Sequence, residues 1–346
     1  MAFEIDKLVR TNVKKLKPYS SARDEFKDFD KEMVFLDANE NPFNNGVNRY
    51  PDPQQRSLKD VLASKQQLSP AQVLLGNGSD EVLDLIFRAF CEPKIDNVIT
   101  LPPTYGMYKV LAETNDVANR EVLLTNDFEP NVTDILKTAD SKSKLLFLCS
   151  PNNPTGNIFK AETIVQLLEN FQGLVVIDEA YIDFATAPSW TEKLTDYPNL
   201  IVTQTLSKAY GLAGIRLGIC YASEEIISVL NKIKPPYNVN ELTQKRALER
   251  VLDFRGVKNE INSILEERDL LFKELLQVVF VKKVYTSNAN FVLVKVDDAN
   301  ARYQELLEKG IVIRNRSTQP LCENTLRFTV GTSSENKKLI KALKEL

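Results

Sequence analysis

The chain has 346 residues, a formal net charge of −3, four cysteines and no histidine, with 43% hydrophobic and 26% charged residues. That mixture suits a soluble globular chain of about two domains, and a net charge so close to zero gives no general reason to bind nucleic acid or an anionic membrane. Without histidine, Ser-His and Cys-His catalysis and His-ligated metal sites are excluded, so no metal is expected and another base must move protons.

The first ten residues carry charges of both signs and no long apolar stretch, so neither a signal peptide nor a membrane span is expected, and the expected location is cytoplasmic. Residues 73–75 read as a short strand, Gly76-Asn77-Gly78 as a tight turn and Ser79-Asp80-Glu81 as the first turn of a helix. In that helix Val82, Leu85, Ile86, Ala89 and Phe90 follow the i, i+3, i+4, i+7, i+8 spacing of one apolar face. Strand-like runs at 97–101, 144–149, 174–178, 200–203 and 217–221 alternate with helical stretches such as 82–90 and 161–171. This is the pattern of an α/β fold with a mostly parallel, doubly wound sheet. Pro235-Pro236 marks the exit from it. Beyond lie a long charged helical region to about Gln277 and strands near 290–295, 311–313 and 325–330, which read as a smaller α+β domain. The expected division is an N-terminal arm, 1–45, joining the smaller domain; a large domain, 46–236; and a small C-terminal domain, 237–346. Lys337, Lys338, Lys341 and Lys344 form the solvated face of a last helix whose Leu339, Ile340, Leu343 and Leu346 turn inward. Cys91, Cys149, Cys220 and Cys322 show no Cys-x-x-Cys spacing and read as buried reduced thiols.

Four segments carry complementary chemistry. Thr205-Leu206-Ser207-Lys208 leads through Gly211 and Gly214 to Arg216-Leu217-Gly218, placing an amine, hydroxyls and a guanidinium beside a glycine-rich turn. Those groups suit an aldehyde that carries a phosphate. The apolar run 173–177 ends in Asp178-Glu179-Ala180-Tyr181, and Ser150-Pro151-Asn152-Asn153-Pro154-Thr155-Gly156 precedes it. Together they describe a pyridoxal phosphate site. The cofactor ring is an electron sink only while its nitrogen stays protonated, which asks for a buried carboxylate, here Asp178. Its aldehyde is held as a Schiff base by a lysine whose ammonium deprotonates readily, through desolvation or a neighbouring cation such as Arg216; Lys208 fits. Asn153 and Tyr181 supply donors for the ring 3′-oxygen, and Tyr105 a flat partner for the ring. A helix N-terminus opened by glycines offers free N–H groups to an anion, so Gly78, Ser79 and Asp80, closed by Ser207 and Arg216, cradle the phosphate. Taken singly, each segment is an ordinary turn, strand end or surface pair. Four of them in the required order, each filling a different necessary role, make a site.

The chain resembles the fold-type I pyridoxal phosphate-dependent aminotransferases, and among them the histidinol-phosphate aminotransferase branch. The resemblance rests on Asp37-Ala38-Asn39-Glu40-Asn41-Pro42, Arg49-Tyr50-Pro51-Asp52, Gly76 to Glu81, Pro151 to Gly156, Asp178 to Tyr181, Ser207 to Gly218, and Leu326-Arg327-Phe328-Thr329-Val330-Gly331-Thr332. It runs from about residue 19 to residue 332. The loop after Pro42 departs from the pattern, reading Phe43-Asn44-Asn45-Gly46 without a second proline.

The resemblance implies that Thr205 joins the cofactor-binding residues and that Lys208, once released, moves a proton between the substrate α-carbon and the cofactor C4′. It implies that Arg327 grips a substrate α-carboxylate bidentately. Arg314, Tyr19 and Arg23 would face a distal phosphate, with Asn39 also in the substrate site. Tyr50 would reach across a homodimer interface to the neighbouring cofactor phosphate. The implied reaction, a step of histidine biosynthesis, interconverts histidinol phosphate and 2-oxoglutarate with imidazole-acetol phosphate and glutamate. Histidinol phosphate has no α-carboxylate, so Arg327 would serve the carboxylate of one substrate and the phosphate of the other in turn. An aromatic amino acid aminotransferase or a phosphothreonine decarboxylase would share most of these motifs. A decarboxylase would use the same Lys208 and Asp178 and differ in which Cα bond stands perpendicular to the ring. A non-catalytic cofactor-binding regulator would carry an appended DNA-binding module, for which the length leaves no room.

Overall fold

The computed structural model describes residues 3–19 and 33–346. Strands β1 (Val73–Asn77), β2 (Asn97–Thr100), β3 (Ala118–Glu121), β4 (Ser143–Cys149), β5 (Leu174–Asp178), β6 (Leu200–Thr205) and β7 (Leu217–Ala222) form one sheet in the order β1-β7-β6-β5-β4-β2-β3. β7 runs antiparallel to both its neighbours, while β3, β2, β4, β5 and β6 are parallel. The strands are apolar at nearly every position because both faces are covered. Leu146, Leu148, Val175, Ile177, Val202 and Ile219 point into one core, and the alternate residues Leu145, Phe147, Leu174, Val176, Ile201 and Cys220 into the other.

Helices α1 (Thr11–Lys15), α3 (Gly78–Phe90), α4 (Met107–Thr114) and α7 (Glu224–Ile233) cover the second face, and α2 (Arg56–Lys65), α5 (Val132–Thr138) and α6 (Ala161–Asn170) the first. α3 buries Val82, Leu83, Leu85, Ile86, Phe87, Ala89 and Phe90, more than one stripe, because α4, α7 and the arm residues Leu8, Val9 and Val13 pack in the same core between it and solvent. Leu8, Val9 and Val13 pack in that core, and the Arg10 N–H donates to the Ala89 carbonyl at 3.0 Å. The described start of the arm therefore rests on the larger sheet, where it covers apolar surface of α3 that would otherwise face water.

The remaining elements are α8 (Glu241–Leu252), α9 (Phe254–Leu275), β8 (Val281–Val284), β9 (Phe291–Val296), α10 (Ala299–Glu308), β10 (Arg314–Asn315), β11 (Thr325–Thr329) and α11 (Ser333–Lys344). The four strands form an antiparallel sheet, β10-β11-β9-β8, with its own core. The expected last helix is present, with Leu339, Ile340 and Leu343 buried and a Thr332/Glu335 capping box at its start. Val239, Ala247, Val251 and Val257 still belong to the core of the larger sheet, whereas Leu271 and Leu275 belong to the smaller one. α9 thus ties the two layers together. A strand was expected at 311–313; pairing instead begins at Arg314, and Ile313 is an inward-pointing residue before it. All four cysteines are buried and unpaired, as expected. No helix among the described residues is long and apolar enough to cross a membrane.

Candidate active site

The parallel strands β4, β5 and β6 end side by side, at Cys149, Asp178 and Thr205. In open α/β sheets the C-terminal strand edge is where ligands bind. A pocket there is lined by Ser79, Asp80, Tyr105, Cys149, Asn153, Asp178, Ala180, Tyr181, Thr205, Ser207, Lys208, Ala213 and Arg216. Ten of the residues expected from sequence therefore converge on one cavity. Gly78 lies just behind them, at φ +76°, its N–H donating to the Arg216 carbonyl at 2.9 Å.

Asp178 forms the floor of the pocket. It is 3% exposed, and its carboxylate accepts from the Tyr108 hydroxyl at 2.7 Å and from the Ala180 N–H at 3.1 Å. Burial raises its pKa, and these two hydrogen bonds oppose the rise. A buried carboxylate in that balance calls for a cation above it. Tyr108 is fully buried and held by stacking on Phe147, with ring centroids 4.8 Å apart.

Lys208 follows β6 and sends its amine toward Tyr181, 5.8 Å above the ring centroid. Desolvation lowers the amine's pKa, Arg327 and Arg216 lower it further, and Asp178 acts against them. Such an amine deprotonates more readily than a surface lysine. On the opposite wall no side chain caps the N-terminus of α3, so the first-turn N–H groups stand at the pocket edge. Arg216 leans over this turn, 3.5 Å from the Asp80 carboxylate, which also accepts from the Tyr105 hydroxyl at 3.0 Å. Thr205 accepts from the Ser207 N–H at 3.1 Å and fixes the loop between β6 and Lys208.

The smaller layer closes the pocket from above. Arg327 on β11 donates to the Asn153 side-chain oxygen and stacks over Phe291 with its guanidinium 5.0 Å from the ring centroid. Burial, then the neighbouring Arg316, depress its pKa to about 10. Because the Asn153 oxygen is occupied by arginine, its amide nitrogen is left to donate elsewhere. The Nε groups of Arg316 and Arg327 are buried without partners. Amine, carboxylate, hydroxyls, helix N-terminus and unspent guanidinium donors together fit pyridoxal phosphate and an anionic substrate.

Other expected residues stand apart. Asn39 and Tyr50 line a separate and roomier cleft with Tyr237 and Asn240, where Tyr50 stacks on Tyr237 at 4.5 Å. No lysine lines that cleft, whereas the smaller cavity holds Lys208. Tyr19 is 74% exposed beside Lys232 to Pro236. Arg314 is exposed and sits directly across from Arg327 in the sheet register. Arg23 lies outside the described residues. Tyr108, Cys149 and Arg316 were not anticipated. A tyrosine and a cysteine in apolar runs read as core, and only the alternation of Arg314 with Arg316 along one strand face hinted at the third.

A model of the aminotransferase class I and II family matches residues 25–343. The chain belongs to this family. Histidinol-phosphate aminotransferase of Flavobacterium johnsoniae is 68% identical over 345 residues, covering 99% of each chain. Among solved structures, the histidinol-phosphate aminotransferase from Clostridium acetobutylicum matches with a TM-score of 0.80 at 25% identity, over 86% of this chain and 90% of that one. The histidinol-phosphate aminotransferase from Sinorhizobium meliloti, in complex with pyridoxal 5′-phosphate, matches at 0.78 and 26% identity, over 86% and 82%. The fold-type I aminotransferase architecture expected from the sequence is the one observed.

Proposed function

We propose that this aminotransferase is a histidinol-phosphate transaminase that uses pyridoxal phosphate to move an amino group reversibly from histidinol phosphate to 2-oxoglutarate, forming imidazole-acetol phosphate and glutamate. The observation that carries the reading is the convergence of Lys208, Asp178, Asn153 and Tyr181 on one pocket roofed by Arg327, in a chain 68% identical along its length to the Flavobacterium johnsoniae enzyme. When bound, pyridoxal phosphate supplies an aldehyde that captures amines and a protonated ring that withdraws electrons.

In this reading Gly78, Ser79, Asp80, Thr205, Ser207 and Arg216 hold the cofactor phosphate, the α3 N-terminus and the guanidinium supplying the compensating charge. Asp178 retains the ring-nitrogen proton by charge, Asn153 and Tyr181 donate to the ring oxygen, and Tyr105 covers the ring. Lys208 holds the aldehyde until substrate arrives, then takes a proton from the substrate carbon that bears the amine. Burial and the neighbouring arginines lower its pKa, so it gives up its proton more readily than a surface lysine. Arg327 offers a fork of donors to the carboxylate of glutamate or the phosphate of histidinol phosphate in turn, and Arg314 faces the same anion.

The assignment extends to a homodimer whose sites are completed by Tyr50 of the opposite subunit, with Tyr19, Arg23 and Asn39 near the substrate. Tyr50 supports it by being 52% exposed and outside its own chain's pocket. A cytoplasmic location belongs to the same reading, as does a large domain at 46–236 followed by a small one at 237–346, except that the described start of the arm 1–45, through Leu8, Val9 and Val13, and Val239, Ala247, Val251 and Val257 pack on the larger sheet.

Glutamate formation and carbon dioxide release, measured side by side for histidinol phosphate, phenylalanine, tyrosine and phosphothreonine with 2-oxoglutarate present, test it. Glutamate is expected, fastest from histidinol phosphate. Preference for phenylalanine would make the enzyme an aromatic aminotransferase, and carbon dioxide from phosphothreonine a decarboxylase.

A further inference from the structure

Arg314 and Arg327 are cross-strand partners in the β10–β11 register, and the Arg316 N–H donates to the Thr325 carbonyl one step further along. Side chains two apart on a strand share a face, so Arg314, Arg316 and Arg327 project from the same side of this ribbon. Arg316 reaches the Asn153 oxygen at 3.4 Å, the same oxygen that accepts from Arg327. Among the described residues none of the three arginines forms an ion pair, and two of them bury an Nε without a partner. Like charges set opposite one another are unfavourable, and among the described residues no carboxylate pairs with them.

We propose that Arg316 is a third binding residue for the distal phosphate of the substrate, and the residue that makes this pocket prefer a dianion to a carboxylate. A carboxylate has two oxygens and one charge, which the fork of a single arginine satisfies. A phosphate monoester carries close to two charges and three acceptor oxygens, so a third guanidinium finds a partner only when phosphate is present. Arg316 and Arg327 share the Asn153 oxygen, so an anion held by both also bears on how the Asn153 amide faces the cofactor ring. The inference rests on the reading of the substrate given above.

The test uses cofactor-saturated enzyme, so that the site for the cofactor's own phosphate is already filled. Inorganic phosphate and acetate are titrated against melting temperature in wild type, Arg316→Gln and Arg316→Lys. Loss of a charge-assisted hydrogen bond corresponds to roughly ten- to a hundredfold in affinity. Arg316→Gln should weaken phosphate by that factor and acetate much less, with Arg316→Lys between. In turnover, the ratio of kcat/KM for histidinol phosphate to that for phenylalanine should fall by at least about tenfold, mainly through KM. Unchanged phosphate affinity, or equal losses for both donors, would overturn the proposal and leave Arg316 a structural residue. Should wild type refuse histidinol phosphate, the substrate reading fails, while the phosphate titration still decides the role of Arg316.

Discussion

Asp178 shows how the chemistry of a single residue is set by what surrounds it. An ionised carboxylate is costly to bury, and here desolvation pushes the group toward its neutral form while the Tyr108 hydroxyl and the Ala180 N–H pull it back. Tyr108→Phe keeps the ring stacked on Phe147 but removes the stronger donor. The Asp178 pKa then rises further, and because the proposed role of Asp178 needs the ionised form, the acid limb of the kcat profile should move to higher pH. A pH–rate series on both proteins checks this; superimposable acid limbs would mean that Tyr108 only packs. Asp178 was legible in the sequence only in company: a carboxylate ending an apolar strand is an ordinary strand end until Asn153, Tyr181 and Lys208 stand in order beside it. Tyr108 was not, since a tyrosine at a helical core position carries no mark of what its hydroxyl meets. Arg316 escaped for a related reason: its meaning comes from a register with β11 that sequence spacing does not reveal.

Among elements, the β1–α3 turn and β7 depend most on close approach. A side chain at Gly218 would place its Cβ 2.3 Å from the Gly78 carbonyl carbon and the Ser79 nitrogen, backbone atoms that no rotamer change can clear. Gly218→Ala should therefore displace the first turn of α3, costing about 1–3 kcal/mol of stability and weakening pyridoxal phosphate binding on the order of tenfold or more. Melting temperature and a cofactor titration of the apoenzyme check it, and wild-type cofactor affinity would contradict it. The central strands were readable because burial on both faces makes them continuous apolar runs. β3, Ala118-Asn119-Arg120-Glu121, was missed because it is a polar edge strand held by pairing with β2. β8, Val281–Val284, is likewise an edge, with two exposed lysines at its centre.

Across the whole molecule, the larger sheet brings β4, β5 and β6 to one edge with Asn153 in the loop after β4, and the smaller layer lowers Arg316 and Arg327 onto the Asn153 oxygen. Most of the residues that line the smaller pocket were readable in sequence because their motifs are local and complementary in chemistry. The substrate half was less so: it is assembled from the ends of distant segments, and Tyr19, Asn39 and Tyr50 do not meet the pocket within one chain. What unites both halves is a single amine positioned above Asp178 and below Arg327. Borohydride reduction of cofactor-loaded protein, followed by peptide mapping, tests that most directly. A pyridoxyl group on Lys208 is expected; its appearance on another lysine, or on none, would contradict the assignment.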